Sequence, residues 1–195
     1  MTFLSKIACK VTENIPNIEI ILEKLRSHVP IQYIFEHIEW MGLDLRVTPA
    51  TLIPRPETAE LVEWVKEKAD HHQALRIVDI GTGSGCIAIA LKRACHLWDV
   101  TGIDISKEAL KIAEENAKRN HVQVTWKQLD ILSENLNFTD IIVSNPPYVR
   151  NCEKQDMSVN VLDHEPHLAL FVPDTNPLIF YNNIERLYKS THIFF

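Results

Sequence analysis

Three of the five glycines in this chain fall within five residues, Gly81-Thr82-Gly83-Ser84-Gly85. The residues before them, Arg76-Ile77-Val78-Asp79-Ile80, form a short, mostly β-branched apolar run that predicts a buried strand over 76–80. The residues after them, Cys86-Ile87-Ala88-Ile89-Ala90-Leu91, predict a helix over 85–95. Strand, glycine turn and helix in that order make an α/β unit. Glycine removes Cβ where the chain turns sharply and lets a ligand approach the backbone. The start of the helix then directs its free N–H groups into the turn.

The alternation continues downstream. Val100-Thr101-Gly102-Ile103 predicts a strand over 99–103. A helix follows over 107–119, with Ser106 as its N-cap and Ala109, Ala113, Asn116 and Ala117 on the inner face. Further strands are expected over 122–127 and 140–144, and a last helix over 177–188. Strands alternating with helices imply a parallel sheet with right-handed crossovers. Upstream, residues 17–28 read as a helix with Ile18, Ile21, Leu22 and Leu25 on one face. Residues 32–47 alternate enough for a hairpin turning near Met41-Gly42, and 58–69 read as a helix burying Leu61, Val62, Trp64 and Val65. There is no internal repeat and no low-complexity tract.

Composition excludes several classes. The chain has 195 residues, 46% of them hydrophobic, enough for one sizeable core. A net charge of −6 without a basic stripe argues against non-specific nucleic-acid binding and fits a protein or small-molecule substrate better. Cys9, Cys86, Cys95 and Cys152 show no CxxC or other metal spacing, and are expected to stay reduced in a cytoplasmic setting. His71-His72 falls in a polar loop and no other histidines pair as ligands, so no metal is expected. No apolar run reaches membrane-spanning length, and the residues after Met1 lack a signal-peptide core.

Two further features carry chemistry. Asp104 closes the second strand about 20 residues after the glycine turn, where a carboxylate can accept hydrogen bonds from ribose hydroxyls. Cys86 stands where the G-x-G-x-x-G fingerprint has its third glycine, and turn plus acid alone leave dinucleotide binding open. Asn145-Pro146-Pro147-Tyr148 follows the apolar run 140–144. Two prolines cannot continue a central strand, so the chain leaves the sheet at Asn145. An amide, a proline carbonyl and an aromatic ring then meet at the carboxyl end of a strand, where open α/β sheets bind ligands. Together they suit a planar nitrogen held at its edge and across its face.

With these elements in order, the sequence resembles S-adenosylmethionine-dependent amino-methyltransferases. Pro30-Ile31-Gln32-Tyr33-Ile34, Leu52-Ile53-Pro54-Arg55-Pro56-Glu57-Thr58, Asp79 to Gly85, Asp104-Ile105-Ser106, Ser144 to Tyr148 and Glu165-Pro166-His167-Leu168-Ala169-Leu170 narrow the resemblance. In that order they look like the release-factor glutamine N(5)-methyltransferases, the HemK/PrmC family. Adenine and RNA methyltransferases share Asn-Pro-Pro-Tyr but not Ile-Pro-Arg-Pro-Glu-Thr.

The resemblance implies a Rossmann-like methyltransferase fold that uses S-adenosylmethionine. The implied substrate is the glutamine of the Gly-Gly-Gln loop of a class I release factor, with no direct nucleic-acid or membrane partner. It implies catalytic roles for Asn145, Pro146 and Tyr148. Gly81, Thr82, Gly83, Ser84, Gly85, Asp104, Asp130, Ile131 and Asn145 would hold the cofactor. Pro147, Arg55, Glu57 and Glu165 would join Asn145, Pro146 and Tyr148 around the substrate. It further implies that residues 1–29 are a remnant of a helical substrate-recognition domain, 30–57 a β-hairpin and linker, and 58–195 a catalytic domain lacking C-terminal strands. On that reading the strand over 140–144 would lack a neighbour on one side, an exposed edge. Family members place an arginine shortly before the Glu165-Pro166 pair, where Asp163-His164 stands here. Two alternatives stay open: another amino-methyltransferase, acting on adenine or a different protein glutamine, and an inactive fragment that only binds cofactor or partner.

Overall fold

The computed structural model describes residues 18–136, 139–188 and 191–195. Residues 1–17, with Cys9 and most of the expected N-terminal segment, lie outside the described residues. The chain opens with helix α1 (Ile18–Arg26), the short helix α2 (Ile31–Ile34) and an antiparallel hairpin of β1 (Ile38–Trp40) and β2 (Leu43–Leu45). The hairpin turns at Met41 and Gly42, both at positive φ, as expected. It is shorter than the sequence suggests, because Pro30 caps residues 31–34 into a helical turn that accepts Tyr33 and Ile34 N–H bonds at the Pro30 carbonyl.

Helix α3 (Pro56–Lys68) precedes the sheet. Then come β3 (Arg76–Ile80), α4 (Cys86–Ala94), β4 (Asp99–Asp104), α5 (Lys107–Arg119), β5 (Thr125–Gln128) and β6 (Ile141–Ser144). A two-residue pair, β7 (Val149–Arg150) with β8 (Phe171–Val172), flanks α6 (Val159–His164). Helix α7 (Ile179–Leu187) leads into β9 (His192–Phe194). The sheet is fully parallel in the order β5-β4-β3-β6-β9. One expectation fails here: β6 has neighbours on both sides, because His192–Phe194 pair in register with Ile141–Val143.

Side chains alternate across the sheet and build two cores. Ile77, Val100, Ile141 and Val143 join Leu91, Trp98 and the α3 residues Val62 and Val65 on one face. Val78, Ile80, Ile103 and Ile142 pack with Ile184 and Tyr188 near α7 on the other. Burial on both faces explains the near-continuous apolar strands. Each fully buried aliphatic side chain contributes roughly 1.5–3 kcal/mol. Trp64 departs from its expected place in the core. It is 48% exposed and stacks edge-on against Phe194, with ring centroids 5.0 Å apart. The face of α1 is also open among the described residues, with Ile18, Leu22 and Leu25 exposed.

The hairpin is tied to the sheet by asparagines of α5. Buried Asn116 donates to the Arg46 and Ser84 carbonyls and accepts from Arg46 N–H at 2.6 Å. Asn120 brackets Asp44 in the same way. Among the described residues no helix is long and apolar enough to cross a membrane.

Candidate active site

The chain moves outward from β3 through β4 to β5, then returns to the other side of β3 as β6. The reversal opens a crevice at the carboxyl ends of β3 and β6, where open α/β sheets bind ligands. Ile80 and Ser144 are paired in register, and the Ser144 hydroxyl donates to the Ile80 carbonyl at 2.8 Å. The glycine turn and the Asn-Pro-Pro-Tyr segment therefore start side by side.

A cavity of about 460 Å³ lies there. Gly81, Gly83, Asp104, Asp130, Ile131, Asn145, Pro146 and Pro147 line it, with Ile105, Leu132 and Phe180 among its apolar walls. Gly81 has φ of +72°, and a Cβ built there would meet nothing within 4 Å. Gly85 does something else. Its Cβ would stand 2.9 Å from Trp126 and 3.0 Å from the Ala113 Cβ, so its bareness serves packing rather than a ligand. Thr82 and Ser84 are buried and do not line the cavity.

Beneath the turn sits Asp79, fully buried. Its Oδ2 accepts the Thr82 hydroxyl at 2.6 Å and the Ala88 N–H at 3.2 Å, so a carboxylate satisfies part of the α4 N-terminus. Its Oδ1 is buried without a hydrogen-bond partner among the described residues. Burial, first of all, pushes the carboxyl up to about 7, against the lowering effect of the Thr82 and Ala88 bonds. Asp104 accepts Gly83 N–H and Ser106 N–H, both at 2.9 Å, one on each oxygen. Burial also raises its carboxyl, while these N–H bonds lower it. A carboxylate has more acceptor directions than these bonds use, which leaves capacity for a ligand. Asp130 lines the cavity but accepts the Leu132 N–H and the Ser133 hydroxyl of its own turn.

An open groove of about 1170 Å³ runs along α3, lined by Arg55, Glu57, Thr58, Trp64, Tyr148 and Phe195 among others. Asn145 lines both the groove and the cavity. Its Nδ2 donates to the Thr58 hydroxyl at 3.1 Å. Tyr148 is 60% exposed on the groove side.

The segment 50–55 covers the cavity and is tied down along its length, the Trp40 indole N–H donating to the Arg55 carbonyl at 2.9 Å. Tyr33 donates its hydroxyl to the Thr51 carbonyl at 2.7 Å. Glu165, its side chain 1% exposed, takes Arg55 in an ion pair at 2.7 Å and the Ile53 N–H at 3.4 Å. Glu165 thus lies behind the site, joining the cover to the segment that carries Pro166 and Leu168, and lines neither cavity nor groove. His164, in the place of the arginine, bonds the Ser27 carbonyl at 2.8 Å instead. Sequence reasoning missed Thr58, Asp79 and Phe180 as parts of the site. The first two stand inside motifs that were visible; Phe180 arrives from α7 with no local signal.

Residues 57–167 match the family model of the methyltransferase small domain. Relatives named release factor glutamine methyltransferase align closely. That of Flavobacterium psychrophilum is 51% identical over 174 residues, covering 87% of this chain and 61% of its own length. That of Bacteroides thetaiotaomicron is also 51% identical, covering 92% of this chain and 64% of its own. The chain thus spans about three fifths of the length of the curated relatives it matches. Among solved structures, the hMettl16 catalytic domain in complex with a 3′UTR hairpin superposes with a TM-score of 0.59 at 20% identity, over 76% of this chain and 57% of that one. The Pyrococcus abyssi tRNA (uracil-54, C5)-methyltransferase, in complex with S-adenosyl-L-homocysteine, gives 0.51 at 20% identity, over 78% of this chain and 38% of that one. At that identity the two structures establish the shared fold alone.

Proposed function

The chain belongs to the methyltransferase small domain family, and from that premise we propose that it transfers a methyl group from S-adenosylmethionine to the side-chain amide nitrogen of the Gly-Gly-Gln glutamine of a class I release factor in the cytoplasm. The observation that carries this reading is the position of Asn145 in the wall shared by a partly enclosed cavity and a more open groove. The cavity takes the cofactor and the groove takes the acceptor loop, so both meet at one amide.

The cavity walls suit the cofactor. Gly81 and Gly83 leave room for the methionine portion along the turn, and Asp104 keeps free lone pairs for two ribose hydroxyls. Ile105, Ile131 and Leu132 give a flat ring an apolar bed, with Asp130 at its edge. When bound, the cofactor supplies an electrophilic methyl group on a sulfonium.

The acceptor is a weak nucleophile, because its lone pair is delocalised into the carbonyl. The chain therefore works by placement. Asn145 Oδ1 and the Pro146 carbonyl accept the two N–H bonds of the glutamine amide and hold the nitrogen toward the cavity. Fixed acceptors of this kind also favour the positive charge that grows on nitrogen during transfer, and the methylated nitrogen becomes neutral again by releasing one of its N–H protons to water in the open groove. Pro147 stiffens the exit from β6, Tyr148 walls the groove, and Arg55 and Glu57 border the acceptor's path.

The test supplies labelled cofactor to the chain with a release factor, with a release factor carrying Gly-Gly-Ala, and with DNA and RNA. Label in the first alone is expected. Label in a nucleic acid, or in the Gly-Gly-Ala factor to the same extent, overturns the reading.

A further inference from the structure

Thr58 touches the site through one hydrogen bond, and that bond holds the amide of Asn145. A side-chain amide is nearly symmetric in shape, and turning it over exchanges an acceptor for a donor. An incoming nitrogen with two N–H groups needs the oxygen. The opposite orientation sets NH₂ against NH₂ and holds nothing.

We propose that Thr58 is a positioning residue that holds the Asn145 amide in the observed place, where its nitrogen meets Thr58 and its oxygen is open to the acceptor. Asn145 Nδ2 donates to Thr58 Oγ1 at 3.1 Å, across 87 residues of sequence. With the nitrogen so engaged, Oδ1 is the atom left for a substrate. Thr58 is well built for this. It is 7% exposed, its N–H bonds the Arg55 carbonyl, and it sits in the first turn of α3. That backbone is held in turn by the half-buried Arg55 paired with the buried Glu165, 110 residues apart in sequence. The inference deepens the proposed function and rests on it: the groove must receive an N–H donor for the orientation to matter.

The experiment compares wild type, Thr58→Val, Thr58→Ser, Asn145→Ala and Thr58→Val/Asn145→Ala. Methyl transfer to a glutamine peptide is followed by steady-state kinetics and cofactor affinity by calorimetry. The side-chain amide of Asn145 is observed by ¹⁵N NMR and assigned by its loss in Asn145→Ala. Valine keeps the shape and removes the hydroxyl. Loss of orientation through it is expected to lower kcat about 10- to 100-fold with little change in cofactor dissociation constant, because positioning acts on the transition state rather than on cofactor binding. Serine is expected to restore most of the rate. The Asn145 amide signal is expected to shift and to exchange faster with solvent in Thr58→Val but not in Thr58→Ser. The double variant is expected to match Asn145→Ala, since Thr58 acts through that side chain.

A Thr58→Val enzyme with wild-type kcat and an unmoved amide signal overturns the proposal and leaves the function standing. A wild type that binds cofactor but leaves the peptide unmethylated overturns the function itself and this proposal with it.

Discussion

Asp79→Asn separates electrostatics from packing beneath the glycine turn. The folded carboxyl keeps its proton up to about 7, whereas the ordinary value is 3.8. The folded chain therefore binds more protons than the unfolded chain between these limits, and stability falls as pH rises through them. At about 1.4 kcal/mol per pH unit, the interval corresponds to an upper bound of ~4 kcal/mol. Asparagine cannot titrate. Its oxygen can still accept the Thr82 hydroxyl and the Ala88 N–H that Asp79 Oδ2 now holds. The amino group then takes the place of Oδ1, which has no partner to lose. The assay is urea unfolding of both proteins at intervals from pH 5 to pH 8. The unfolding free energy of the variant, minus that of wild type, is expected to rise steadily to pH 7 and then flatten. Titrating groups that do not feel the Asp79 charge cancel in this difference, whereas Asp104 and Cys86 are coupled to it. Parallel curves across the whole range would refute the reasoning, because Asp79 would then ionise alike in both states.

The other predictions concern packing, the cover of the cavity and the cofactor. Gly102→Ala puts a Cβ 2.3 Å from Trp126 and 2.9 Å from the Thr82 hydroxyl. It should cost about 1–3 kcal/mol or more, read as a lower thermal midpoint, and Trp126→Leu should recover much of it. Arg55→Ala strips the guanidinium from the buried Glu165 carboxylate; a loss of about 3 kcal/mol is expected in denaturant unfolding, reduced when Glu165→Gln is added. Asp104→Ala should weaken S-adenosylmethionine binding by roughly 1–3 kcal/mol in calorimetry, the scale of leaving buried hydroxyls without an acceptor. An unchanged dissociation constant would remove Asp104 from the ribose site.

Much of this architecture is legible because local and global signals agree. Helix α5 spans 107–119 as its periodicity predicts, and the Ser106 hydroxyl accepts the Ala109 N–H as an N-cap should. Strand β3 and the turn after it follow from β-branched residues beside glycines. What was not legible depends on partners distant in sequence. Gly85 looks like Gly81 in the motif, but Trp126 fills the space at its Cα. Trp64 has the spacing of a core residue, yet it falls at the rim of α3 and finds Phe194 instead. Residues 192–194 carry too little pattern to announce a strand, and the edge of β6 supplies the ladder. Residues 32–34 alternate like a strand, but the Pro30 cap and Tyr33, anchored to Thr51, hold them as a helical turn. Glu165 could be placed near the substrate by its motif but not turned away from it; its contacts with Arg55 and the Ile53 N–H do that.

The central claim is that Asn145 presents a cofactor and a glutamine amide to each other across one wall. It is tested most directly by methyl transfer to a release factor, with the modified residue mapped by mass spectrometry, in wild type and Asn145→Ala at saturating cofactor. The account predicts one methyl on the Gly-Gly-Gln glutamine in wild type. It predicts none in the variant, which should still bind cofactor within a few-fold. Undiminished methylation by Asn145→Ala, or equal loss of cofactor binding and transfer, would contradict it.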